Sequence, residues 1–146
     1  MQYQAGRVGR IFYICFDHKD DLLQEFTALI RREDVRCGWF QFFGGLTGAE
    51  VVIGPEEPCM PPVPVWQRVS EARELFACGS VFWEGDEPRL HLHGAMGHHG
   101  ETLTGCIRKN VEVYLLVEAV LFEMEGMEIT RPWYPEGGFN RPRIGK

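Results

Sequence analysis

The apolar positions of the N-terminal part of the chain change from the pattern of a strand to that of a helix. β-Favouring residues are frequent over residues 7–16, which predicts a first strand. Over residues 21–32 the apolar positions instead follow the helical repeat; they are Leu22, Leu23, Phe26, Leu29 and Ile30. Asp21 can accept hydrogen bonds from the free N–H groups at the start of this helix, and Gln24 occupies the capping-box position. The pattern therefore predicts one well-signalled helix.

Most of the remaining chain has the composition of strands separated by glycine and proline. The predicted strands cover residues 37–43, 49–53, 65–69, 75–83, 90–96, 103–108 and 111–124. Residues 55–64 contain five prolines and are expected to form an extended surface loop. Residues 111–124 hold a near-continuous apolar run, which predicts a central strand covered on both faces. One main helix packed on a mostly antiparallel sheet is an α+β arrangement.

The length and composition agree with one domain. We expect a single domain over residues 1–146, with its core at about 7–131 and an irregular tail, rich in proline and glycine, at 132–146. No apolar run is long enough to span a bilayer and the N-terminus lacks an apolar signal segment, so a cytoplasmic location is expected. The five cysteines form no C-x-x-C pair and are expected to stay reduced. Three of them fall in apolar strand-like segments, where a thiol usually acts as a small hydrophobic group; they are Cys15, Cys37 and Cys78.

Histidines are the first candidate chemistry, because four of the five fall within nine positions. His91 and His93 stand two apart on a predicted strand, so both side chains point to the same face about 6.6 Å apart along the chain. Two imidazoles in this arrangement can bind one cation. The alternative is a pair of half-exposed histidines without a ligand. His98 and His99 lie between glycines at a predicted turn tip, where solvated polar residues are expected.

A third ligand follows from the parity of the predicted hairpin. If the turn is centred between His98 and His99, His91 pairs with Cys106; if it is centred one residue later, His93 does. Any loop of even length therefore puts the Cys106 sulfur on the histidine face, and a loop of odd length puts it on the opposite face. The alternative for Cys106 is a plain buried thiol.

The order of motifs along the chain resembles the PPC (plants and prokaryotes conserved) domain family. The likeness is carried by residues 88–95, with H-x-H followed by Gly94 and Ala95, and by residues 104–107 after a glycine turn. Further similar segments occur at residues 10–12, 20–23, 42–46, 74–80 and 116–120. The resemblance covers about residues 7–131. It implies an α+β fold that assembles as a homotrimer.

The resemblance also implies a divalent-metal site built from three histidines. His91 and His93 match two of them, whereas Cys106 stands at the third and Thr104 replaces a preceding glycine. A thiolate is a good zinc ligand, so a His₂Cys site would favour a softer ion such as Zn²⁺. The same substitution could instead mark a site that has lost its metal. Three protein ligands would leave a fourth position open for water or substrate.

Two further positions match the family pattern without a settled role. Glu118 matches a glutamate embedded in a strand, which indicates a role beside the metal ligands or in a pocket; alternatively it faces solvent. Arg131 stands where the family often has arginine, and could pair with a carboxylate or bind an anion.

Charge and motifs separate the candidate functions. The plant members read DNA through an Arg-Gly-Arg-Pro AT-hook, which this chain lacks, and its net charge of −6 disfavours DNA binding through the domain itself.

The first hypothesis is a trimeric metal-binding module for regulation or assembly, with DNA as a weakly supported partner. The second is a small zinc-dependent enzyme. Residues 85–93 also fit the G-x₅-H-x-H opening of the cupin motif, but a cupin would need a glutamate at position 97 or 98, where Gly97 and His98 stand. The third is a structural trimer whose histidines bind nothing.

Overall fold

The computed structural model describes residues 1–145 and contains one helix and a mostly antiparallel sheet, as predicted. The elements are β1 (Arg7–Asp17), α1 (Leu22–Arg32), β2 (Cys37–Pro55), β3 (Pro64–Val69), β4 (Arg73–Glu84), β5 (Glu87–His98), β6 (Glu101–Glu125), β7 (Ile129–Thr130), β8 (Trp133–Tyr134), β9 (Phe139–Asn140) and β10 (Arg143–Ile144). No helix among residues 1–145 has both the length and the apolar character that crossing a membrane requires.

The helix begins where the capping residues predict. The Asp21 carboxylate accepts a hydrogen bond from the Gln24 backbone N–H at 3.0 Å, and the Gln24 side chain donates to the other carboxylate oxygen at 2.8 Å. Leu22, Phe26 and Ile30 are buried, so one stripe of α1 packs on the sheet.

Four strands of the sheet form a closed ring. β2 pairs with β4, β4 with β5, β5 with β6, and β6 again with β2. β1 extends the sheet from β6, and β3 extends it from β2. Closure pairs each of the four ring strands on both sides, which removes most exposed strand edges.

Two of the predicted breaks are irregularities inside longer strands. The segments predicted at 37–43 and 49–53 form the single strand β2, and those predicted at 103–108 and 111–124 form the 25-residue strand β6. Gly44 does not end β2, because it lies at φ 142° within a register shift and keeps the strand paired. A Cβ there would lie 2.2 Å from the Leu116 carbonyl oxygen, so this close approach of two strands needs glycine.

The core lies between α1 and the face of the ring that the helix covers. Phe26 of the helix packs edge-on against Phe40 and Phe42 of β2, with ring centroids 4.8 Å and 5.0 Å apart. Phe16 of β1 meets Phe42 at 6.2 Å in the same geometry. These rings are buried and form the centre of the apolar cluster.

The opposite face of the sheet, called the outer face below, carries large apolar residues that are exposed in the single chain. Residues paired across neighbouring strands share a face, and the exposed ones here are Ile11, Tyr13, Trp39, Phe43 and Phe76. The prediction that the central strand is covered on both faces is wrong for the single chain, because Leu115 of β6 is 68% exposed and Leu116 is exposed as well. The core covers only one side of β6.

The tail is not wholly irregular. β7 pairs in parallel with β4 through Thr130 and Trp83, and β10 pairs with β7. β8 and β9 form a separate two-stranded ribbon. Residues 132–146 therefore contain the short strands β8, β9 and β10, and β10 returns to the sheet through β7, whereas an irregular tail was expected. Lys146 lies outside the described residues.

All five cysteines are free thiols, as expected, but their burial differs. Cys37 and Cys106 are buried, and Cys78 is half-buried. Cys15 is exposed and does not act as a core residue, because it lies on the outer face of β1.

Candidate metal centre

The hairpin of β5 and β6 has the even loop that puts Cys106 on the histidine face. His98 pairs with Glu101, so the turn consists of His99 and Gly100 alone. Both have positive φ, 47° and 88°, as the tight turn of a two-residue hairpin requires. His93 consequently lies directly opposite Cys106. This is the second of the two registers that the parity argument allowed.

Three potential ligands meet at this hairpin. The ligand atoms of His91, His93 and Cys106 all lie within 4.8 Å of one another. The Nε2 atoms of the two histidines are 3.2 Å apart. Zinc–nitrogen bonds of about 2.0–2.1 Å at a tetrahedral angle would hold two nitrogens about 3.3 Å apart. The two imidazoles are thus already spaced for a shared cation.

The donor set fits zinc in chemistry as well as in spacing. It combines two imidazole nitrogens with one thiol sulfur and includes no carboxylate. Zinc takes such mixed nitrogen and sulfur ligands, whereas magnesium and calcium prefer oxygen. Three protein donors leave one tetrahedral position for a water or a ligand.

The surroundings favour the neutral form of the His91 imidazole and the protonated form of the Cys106 thiol. Partial burial of the His91 ring, and then the charges of Arg131, His93 and Arg108, lower the pKa of His91 from 6.5 to about 4. Burial raises the pKa of the Cys106 thiol, although Arg108 and Arg131 act in the opposite direction. The site therefore holds a neutral His91 imidazole near pH 7, close to the positive charges of Arg131 and Arg108.

Arg131 is the neighbour that the sequence left undecided. Only 2% of this residue is exposed, and its Nη2 donates to the Ser80 hydroxyl at 2.7 Å. Ser80 is the direct cross-strand partner of His91, so the guanidinium lies beside the candidate site. Burial lowers the pKa of Arg131, an effect partly offset by Cys106. Sequence reasoning named this residue but could not predict where it lies.

Glu118 lies on the same outer face but is not part of the cluster. It pairs with Cys15 on β1 and with Phe43 on β2, and its carboxylate raises the pKa of the neighbouring Tyr13. The group of ligand atoms that meets at His91, His93 and Cys106 does not include its carboxylate. A role for Glu118 beside the ligands therefore stays a prediction.

The two other histidines of the hairpin do not join the cluster. His98 Nδ1 lies 2.8 Å from the Ala72 carbonyl oxygen, and His99 is an exposed turn residue. Their rings meet edge-on at 4.2 Å. Both occupy the polar turn tip that their glycine neighbours predicted.

The fold and the cluster together define a small, strand-rich domain with a candidate His₂Cys metal centre on an open sheet face. The chain belongs to the Plants and Prokaryotes Conserved (PCC) domain family, whose model matches residues 3–125. This confirms the family that the order of motifs indicated.

Solved structures with the same fold are similar along their whole length. A metal-containing protein from Archaeoglobus fulgidus has a TM-score of 0.85 at 19% identity, with 100% of both chains covered. A plant- and prokaryote-conserved protein from Pyrococcus horikoshii has a TM-score of 0.84 at 20% identity, again with 100% coverage of both chains. A Bacteroides thetaiotaomicron protein with a provisional DNA-binding name has a TM-score of 0.79 at 14% identity, with 96% of each chain covered. At these identities the likeness establishes the fold. Among curated proteins, none matches the sequence.

Proposed function

We propose that this protein is a zinc-binding member of the family that assembles as a homotrimer and serves regulation or assembly. The metal ligands in this proposal are His91, His93 and Cys106. The observation that carries it is the convergence of their three ligand atoms within 4.8 Å on adjacent strands. A protein of the same fold from Archaeoglobus fulgidus is described as metal-containing, which further supports the metal proposal.

The homotrimer is supported by the outer face of the sheet. Ile11, Trp39 and Phe76 are exposed there in the single chain, together with other large apolar residues. Monomeric soluble proteins rarely expose apolar patches of more than a few hundred Å², and larger ones usually mark contact surfaces. A symmetric assembly would cover this face and leave the helix side in water.

DNA is the less favoured partner in this proposal. The Bacteroides thetaiotaomicron protein with the same fold is provisionally named as a DNA-binding protein, which supports DNA as a partner. The net charge of −6 disfavours DNA binding. We expect no more than weak binding of a labelled 20-base-pair duplex in fluorescence anisotropy at low salt, with a steep loss as salt is raised. Tight binding that persists at physiological salt would contradict this expectation and make DNA the principal partner.

A second candidate function is a small zinc-dependent enzyme. One observation favours it: three protein ligands leave a coordination position free, which is typical of catalytic rather than purely structural zinc sites. Bound zinc would supply Lewis-acid chemistry at that position. His91 and His93 would orient the ion, and Arg131 would lie on the same side of the sheet as any bound molecule.

The metal proposal is tested by elemental analysis of protein purified under reducing conditions. We expect about one zinc per chain in the wild type, and almost none in the His91→Ala/His93→Ala variant, because one remaining thiolate cannot hold the ion. The matched control is His98→Ala/His99→Ala, which removes two histidines from the same hairpin but leaves the cluster intact. We expect the control to keep its metal. Stoichiometric zinc in the cluster variant, or none in the wild type, would falsify the site.

A further inference from the structure

Arg131 is a buried cation without a counter-ion. It is the one buried charged residue among residues 1–145, and none of the ion pairs in this part of the chain includes it. Its hydrogen-bonding partner is the neutral hydroxyl of Ser80, and its Nε has no partner at all. A buried guanidinium in this state is unfavourable unless something else supplies negative charge.

The guanidinium is also held in a fixed position. The Arg131 backbone N–H donates to the Trp83 carbonyl at 2.9 Å, and its own carbonyl accepts from the Asn140 side chain at 3.0 Å. Its Cζ lies 5.1 Å from the centre of the Phe82 ring, which supports it from one side. A rigid, planar donor group of this kind is suited to bind two oxygens of one anion.

The charges around Arg131 favour an anion over another cation or a neutral molecule. Its position beside Ser80, the cross-strand partner of His91, puts it next to the candidate metal site. That site offers two imidazoles and at most one thiolate, and no carboxylate belongs to the cluster. A divalent ion bound there would add two positive charges against that one thiolate. The combined site would be short of negative charge.

We infer that Arg131 and Ser80 form an oxyanion-binding site beside the metal centre, for the carboxylate or phosphate group of a small molecule. One oxygen of the anion would accept from the Arg131 guanidinium, and another would face the open metal position. The second contact rests on the proposed metal site. The first contact depends only on Arg131 and Ser80.

The inference is tested by calorimetric titration of the zinc-loaded protein with inorganic phosphate and with acetate. Hydrogen bonds from a charged donor are strong enough that Arg131→Gln should weaken anion binding roughly 10- to 100-fold. The matched control is Arg108→Gln, which removes a nearby exposed guanidinium, and it should change the affinity less than about threefold. Equal losses in both variants would indicate general electrostatic attraction and overturn the inference.

A second measurement avoids any effect of the substitution on folding. In wild-type protein labelled with ¹⁵N, the Arg131 Nε–H resonance should shift as phosphate is added, since that group gains a partner. An unchanged resonance at saturating phosphate overturns the inference.

The same titration of metal-free protein separates this inference from the proposed function. We expect weaker phosphate binding that still depends on Arg131. If the wild type holds no zinc but phosphate binding is lost in Arg131→Gln, the metal proposal fails and the oxyanion site stands. If zinc is bound and the wild type and Arg131→Gln bind phosphate equally, the oxyanion site fails and the metal proposal stands.

Discussion

Replacing Phe42 by alanine is expected to lower the free energy of unfolding by about 3–5 kcal/mol, because the residue is completely buried at the centre of the core. Its ring packs against three other phenylalanines at centroid distances of 5.0–6.2 Å; they are Phe16, Phe26 and Phe40. Alanine would leave a cavity at this position. Because β4 and β6 pair with β2 on both sides, the strand cannot move to fill that cavity.

Urea unfolding followed by circular dichroism measures this loss at constant protein concentration. The control is Phe139→Ala, the same chemical change at an exposed position of the tail, for which we expect a loss below about 1 kcal/mol. Equal losses at the two positions would mean that the packing of Phe42 is not the source of the stability.

A single charge on the outer face is expected to convert the proposed trimer into monomers. Phe76 is 62% exposed in the single chain and lies directly opposite Phe43, another exposed ring. If these rings meet a neighbouring subunit, Phe76→Glu buries an unpaired carboxylate there, which is strongly unfavourable. In the monomer the same substitution places the carboxylate in water and costs little.

Sedimentation equilibrium distinguishes the two states directly. We expect about three chains per particle for the wild type and one for Phe76→Glu. Val63→Glu is the control, because Val63 is also exposed and apolar but lies in the proline-rich loop rather than on the outer face. A trimer that survives Phe76→Glu would exclude this face as the contact, and a monomeric wild type would exclude the trimer.

The pairing of the histidine strand with the cysteine strand could be predicted because hairpin parity allows few answers. Any even loop puts Cys106 with His91 and His93, and glycine at position 100 favours the short turn that forms here. The helix was equally predictable, since its cap and its apolar stripe are local features. Local periodicity and turn chemistry carried both predictions.

The unpredicted features depend on contacts between distant parts of the chain. Gly44 has the composition of a strand break, but the close approach of Leu116 across the sheet keeps β2 continuous. The burial of Arg131 follows from the parallel pairing of Thr130 with Trp83. The pattern of apolar residues along the chain does not predict this pairing. Glu118 matched a motif, yet it is not part of the group of side chains that meets at the histidines. Motif matching supplied the residue types, and topology decided which of them meet.

The closed ring of strands has a consequence for how the proposed site would take up its ion. In zinc fingers the ligands become ordered only when the metal arrives, so binding and folding are one event. Here His91 and His93 lie on β5 and Cys106 on β6. His93 and Cys106 are paired on both sides within the ring, and His91 is paired with Ser80 of β4. The backbone conformational entropy of the three ligands is therefore lost when the chain folds, before any ion binds. Ion binding would have to order only the side chains, and the ion would be free to exchange without unfolding the domain.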